Sequence, residues 1–221
     1  MFLGHDRPIF EYAVQRHRVP SADAVLLLEP VHNNRCLGFG SVSAFGCLVE
    51  QLLRLVPWSD ALEDATRLAR NDAFRDHWGS QPRTPESWRS YRSHFAPEWS
   101  FVVVDESVDY EGSESERPGD LTVAPGTPYV VGLHRAERHE PAWESQGYTA
   151  GYTGLLGVRS AYRGRRIAAA LLTHAMNVYA ADGMQYAELD VDTDNPTGAP
   201  ALYARLGYTK SDGSSAYSIE L

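Results

Sequence analysis

The sequence predicts a mixed α/β (α+β) fold, and three observations carry that reading. An apolar run of Leu155, Leu156 and Val158 leads through a turn rich in Arg and Gly into apolar positions Ile167, Ala168, Leu171, Leu172, Ala175, Met176 and Tyr179, the spacing of one helical face. Runs rich in β-branched and aromatic residues recur at 99–104, 128–133 and 148–158, as strands require. A second helical stripe, Ala61, Leu62, Ala65, Leu68, Ala69 and Phe74, precedes them. With 221 residues, 43% of them hydrophobic and 22% charged, the chain can bury one good core.

Taken in order, residues 10–17 are expected to form a short helix and 24–28 a strand, with the glycine- and serine-rich stretch 38–46 as a linker. A domain then spans 49–221, opening with a strand over 50–56. Ser59 is placed to cap the first helix, and Thr84 and Pro85 to start a second one carrying Trp88 and Tyr91. After the strand at 99–104, residues 105–126 hold Glu111, Glu114, Glu116 and Asp120 among Ser, Gly and Pro, a composition that predicts a solvated loop; an acidic funnel for a cationic amine is the alternative. A polar connection with His134, Glu137, His139, Glu140 and Glu144 follows the strand at 128–133, in no metal-ligand spacing, so no metal is expected.

The strand at 148–158 feeds the loop Arg163-Gly164-Arg165-Arg166 and the long helix, which Gly183 stops. Unpaired N–H groups and the positive dipole end gather anions at such a helix start, Gly164 permits close approach, and three arginines add charge-assisted donors: a pyrophosphate suits this loop. On the strand at 187–191, Glu188, Asp190 and Asp192 alternate with apolar neighbours, as on a half-exposed strand. Pro200 makes the last helix start near Ala199, and 208–210 with 216–219 read as a closing hairpin.

The formal charge of −9 and a pI near 5.3 exclude nucleic acid and anionic membrane as main partners. No run reaches transmembrane length and the N-terminus lacks the three-part secretory pattern, so a cytoplasmic protein is expected. Cys36 and Cys47 read as buried, reduced thiols.

The order of motifs resembles the GNAT superfamily of acyl-CoA-dependent N-acetyltransferases. Val158, Arg163-Gly164 and Ile167-Ala168 match its strand, turn and helix start; Asn195 and Leu202-Tyr203-Ala204-Arg205-Leu206-Gly207-Tyr208 match its closing Asn-led loop and helix. Farther back, Asn71-Asp72-Ala73-Phe74 and His77-Trp78-Gly79 are similar to a subgroup related to the catalytic half of mycothiol synthase. Relatives there carry tandem modules, so residues 1–48 are either an extension or a remnant of a preceding module.

The resemblance implies a central mixed, mostly antiparallel sheet splayed at its middle, with helices on both faces. It implies acetyl-CoA as cosubstrate, held by Leu156, Gly157 and Val158 against the pantetheine amides, by Arg163, Gly164, Arg165, Arg166, Ile167 and Ala168 at the pyrophosphate, and by Asn195 on the pantetheine arm. Tyr203 matches the general-acid tyrosine, and His77, Trp78 and Trp88 are acceptor-pocket candidates by resemblance, while the residues themselves read first as core tryptophans and a histidine in an exposed turn. The implied reaction is direct acetylation of a primary amine, of a small molecule first and of a peptide or protein second; a non-catalytic acyl-CoA-binding regulator is the third reading. A homodimer fits the resemblance.

The chain departs from the family pattern in three places. The loop signature (Gln or Arg, two residues, Gly, one residue, Gly or Ala) falls on Ala161, Gly164 and Arg166. Tyr152, Thr153 and Gly154 offer no carboxylate where relatives often carry a glutamate base. Pro200 interrupts the last helix. The base is left between Asp190, Glu188 and water relayed to a more distant carboxylate.

Overall fold

The computed structural model of the protein describes residues 10–19, 53–77, 79–90, 92–109, 123, 126–192 and 198–216. Seven strands, β1 (Phe10–Arg18), β2 (Leu53–Pro57), β3 (Phe95–Asp109), β4 (Pro128–Glu137), β5 (Ala150–Val158), β6 (Tyr186–Asp192) and β7 (Thr209–Ala216), form one sheet in the order β2-β3-β4-β5-β6-β1-β7. The described helices are α1 (Glu63–Ala73), α2 (Pro85–Ser90), α3 (Glu140–Gln146), α4 (Ile167–Ala181) and α5 (Ala199–Arg205). All strand neighbours are antiparallel except β5 and β6. The mixed, mostly antiparallel sheet is as expected.

Strand alternation places helices on both faces. Val102 and Val104 of β3 pack with Leu62, Ala65, Leu68 and Ala69 around α1, whereas Phe101 and Val103 pack with Ile167 and Leu171 of α4. On β6, Ala187, Leu189 and Val191 join Leu172, Ala175 and Tyr179 of α4 and Tyr203 of α5. Leu68, Leu133, Leu171 and Leu172 are fully buried, and each contributes about 1.5–3 kcal/mol by leaving water. Among the described residues no helix is long and apolar enough to cross a membrane.

Several elements differ from the sequence reading. Residues 10–18 are a strand, not a helix, inserted between β6 and β7, with Arg16 opposite Glu188. Ser59 makes no side-chain cap; a single 3-10 turn, Asp60–Leu62, precedes α1. Thr84 does cap α2, its Oγ1 accepting the Ser87 N–H at 3.2 Å. The polar connection after β4 contains a helix, α3, ended by left-handed Gly147. At the expected closing hairpin one strand, β7, runs unbroken antiparallel to β1, and residues 217–219 lie outside the described residues. The stretches at 24–28 and 38–46, Cys36, Cys47, Trp78, Tyr91, Asn195 and the four acidic residues 111, 114, 116 and 120 lie outside the described residues.

The sheet forks between β5 and β6. Their parallel pairing runs from Ala150–Tyr186 to Thr153–Leu189 and stops there. Beyond it, 155–158 stay with β4 while 190–192 stay with β1. The β4–β5 register jumps between Arg135 and Ala136, leaving Gly154 as the extra residue of a bulge. A Cβ at Gly154 would lie 2.4 Å from Glu137 Oε1, so only glycine lets the Glu137 side chain lie across β5 there.

Candidate active site

The fork opens into a cavity of about 1120 Å³. Residues 153–158 of β5 form one wall and 189–192 of β6 the other; the start of α4, the end of α1 and α5 close it. The β5–β6 ladder ends at Thr153–Leu189, so the inner-edge backbone N–H and C=O groups of 155–158 face the gap rather than β6 and can meet a ligand's amides.

At one end the loop before α4 turns through two left-handed residues, Gly164 at φ 78° and Arg166 at φ 62°. Arg166 is the N-cap of α4, and its side chain caps nothing, so the first-turn N–H groups of α4 keep their capacity to bind an anion. Gly164, Arg163, Arg166, Ile167 and Ala168 all line the cavity. The loop is tied to the end of α1: Ser160 N donates to Asp72 Oδ2 at 2.7 Å, and Arg163 Nη2 to the Ala73 carbonyl at 2.8 Å. Arg165 is the exception among the predicted residues. It stands outside the cavity lining, its guanidinium 5.1 Å from the Tyr162 ring, and Tyr162 in turn donates to Asp105.

The left-handed backbone at 166 also revises where the loop signature falls. Framed from Arg163, the pattern meets Arg at 163 and Ala at 168 and is broken once, at Arg166, where the backbone turns in the way glycine favours. The frame starting at Ala161 matches glycine alone, at 164.

At the other end lie the titratable groups. Tyr203 of α5 lines the cavity, and burial pushes its phenol up to about 12, so it carries its proton at neutral pH. Asp190 lines it from β6; burial raises its carboxyl above the ordinary range, against a hydrogen bond from Tyr152 that lowers it. His77 lines the rim on Phe74, and burial, then Arg163 and Arg70, hold its imidazole below the usual value. Leu156, Gly157 and Val158 are in the β5 wall as expected.

Two site candidates stand outside the cavity lining. Glu188 is outside the cavity lining, held by Arg16 Nε at 2.7 Å and by the Tyr148 hydroxyl at 2.9 Å. Trp88 is 4% exposed in the core around α1, which bears out the core reading and not the pocket one.

The sequence reading missed Arg70. Its Nη1 donates to the Gln81 carbonyl at 2.7 Å and its Nη2 to Ser80 Oγ, pinning the segment after α1 at the cavity rim. Burial first, and Arg83 second, lower this guanidinium to about 10. The spacing of Arg67, Arg70 and Asn71 on one side of α1, all bonded to 80–83, was the available signal.

Residues 82–208 match the model of the acetyltransferase (GNAT) family. A GCN5-related N-acetyltransferase from Sphaerobacter thermophilus superposes with a TM-score of 0.57 and 24% identity, over 94% of this chain and 50% of that one. The chain thus spans half the length of that protein. An aminoglycoside acetyltransferase from an uncultured soil metagenomic sample, in complex with trehalose, gives 0.53 at 14% identity over 78% and 99% of the two chains. The NatC complex bound to Gag peptide and CoA gives 0.50 at 21% identity over 72% and 86%. Identities this low speak to the fold alone. None of the curated proteins compared matches the sequence.

Proposed function

The chain belongs to the acetyltransferase (GNAT) family of acyl-CoA N-acyltransferases, and on that premise we propose that it moves an acetyl group directly from acetyl-CoA to the primary amine of a small molecule. One observation carries the reading: a single cavity joins the strand fork, the open start of α4 and a protonated Tyr203. The fit to acetyl-CoA rests on that shape. The strand edge at 156–158 suits the pantetheine amides, and the backbone of 163–168 with Arg163 and Arg166 suits the pyrophosphate. Asn195 is assigned to the pantetheine arm by resemblance.

Acetyl-CoA supplies the acetyl group as an activated thioester. The chain's own residues have three tasks. Backbone N–H groups near Val158 polarise the carbonyl as charge develops on its oxygen. Asp190 attracts the acceptor's ammonium into the fork. The acceptor must lose a proton before its nitrogen forms the new C–N bond; as the C–S bond breaks, Tyr203 protonates the sulfur. The net change releases one proton to solvent.

The narrower likeness to the catalytic half of mycothiol synthase, the cytoplasmic location and a homodimer belong to the same proposal, as does a domain over 49–221. Ala73, Phe74 and His77 in the cavity lining support the first, and the place of β1 between β6 and β7 supports reading residues 10–18 with the domain rather than as a remnant of a preceding module. Calorimetry with acetyl-CoA followed by thiol release against an amine panel tests the function. Thiol release with small amines upholds it, release with peptides alone moves the acceptor class, and binding without release selects the regulator.

A further inference from the structure

We propose that Glu137, reaching across from β4, takes the proton from the acceptor amine. The inference rests on the function proposed above and names a residue for a task that β5 itself leaves vacant. Gly154 lies at the mouth of the fork, in the cavity wall, with no ladder partner on β4 or β6. The Glu137 carboxylate fills the place a side chain at 154 would take, 2.4 Å from its Cβ position to Oε1. A carboxylate thus stands against Gly154 of the β5 wall, just outside the residues that line the cavity, although β5 contributes none.

Glu137 also has an outlet for the proton. Its Oε2 lies 3.0 Å from His139 Nε2; its side chain is 13% exposed, and that of His139 37%. His139 stacks on His94 at 4.5 Å between ring centroids. A proton accepted by Glu137 therefore has an imidazole pair leading to water. Asp190, the other carboxylate at the fork, is bonded instead by the Tyr152 phenol.

The step balances simply. The ammonium nitrogen gives one proton to the Glu137 carboxylate, which passes it by His139 to solvent. The freed lone pair forms the C–N bond to the acetyl carbon. The C–S bond breaks, the sulfur takes the Tyr203 proton, and the second nitrogen proton, shed as the amide forms, restores Tyr203 through water.

The test measures acetyl-CoA binding by calorimetry, and thiol release with spermidine, kanamycin and a tripeptide bearing a free N-terminus. Glu137→Gln, nearly isosteric, should lower kcat/KM about 100-fold with the acetyl-CoA Kd unchanged. Gly154→Ala should do the same by pushing the carboxylate aside. In the Glu137→Ala background, Gly154→Glu should recover about tenfold or more by supplying the carboxylate from β5. Near-wild-type turnover of Glu137→Gln, or a relocated carboxylate that rescues nothing, overturns the assignment and leaves the family function standing. A wild-type protein that binds acetyl-CoA without releasing thiol on any of the three amines, or does not bind it, removes both.

Discussion

Replacing Arg166 with glycine should stabilise this protein. Arg166 is the non-glycine residue with positive φ among the described residues, at φ 62° and ψ 13°. A left-handed conformation costs an L-residue about 1–2 kcal/mol, which glycine avoids. Against this, glycine adds about 0.4–1 kcal/mol of unfolded-chain entropy. The net expectation for Arg166→Gly is a gain of about 0.5–1 kcal/mol, or a Tm rise of about 1–4 °C for a chain of this size. Arg166→Ala removes the same guanidinium but keeps the strained backbone, so it should gain nothing. Urea unfolding followed by tryptophan fluorescence reads the difference, provided the slope m is the same in all three proteins. Equal stabilities for the Gly and Ala variants would refute the strain at 166, and with it the frame of the loop signature that begins at Arg163.

Four further outcomes follow from the same geometry. Gly164→Asp, at φ 78°, puts a strained residue and a negative charge at the start of α4 and should nearly abolish acetyl-CoA binding by calorimetry. Tyr203→Phe should lower kcat about 10- to 100-fold with the acetyl-CoA Kd unchanged. Glu188→Gln should leave turnover intact but cost about 1–2 kcal/mol in urea unfolding, through its weakened bonds to Arg16 and Tyr148. For pH, burial holds His134 neutral down to about 3, while the unfolded chain protonates it near 6.5. Its folded pKa is depressed, so stability falls as pH drops below 6.5, by about 1.4 kcal/mol per pH unit from this group. His134→Asn should flatten the dependence of the urea midpoint between pH 6.5 and 5.

What was legible in the sequence was mostly local. The span from Val158 through the loop into α4 carries its own periodicity and its stop at Gly183, and both stand where expected. The start of α5 at Ala199 followed from Pro200 alone. Strand β1 was misread because its pairing to β6 and β7 lies about 170–200 residues away, beyond any local window. The place of Glu137 depends on a register jump between two strands, which no single-strand pattern encodes. Arg165 and Arg166 look alike in sequence; the backbone turn sends one to Tyr162 and the other to the cavity.

The central claim, that the fork and the start of α4 hold acetyl-CoA for transfer to an amine, is tested most directly by one calorimetric titration carried into a thiol-release assay. Stoichiometric binding that Gly164→Asp removes, followed by thiol release on a small amine, is the predicted result. Absence of acetyl-CoA binding by the wild-type protein would contradict it.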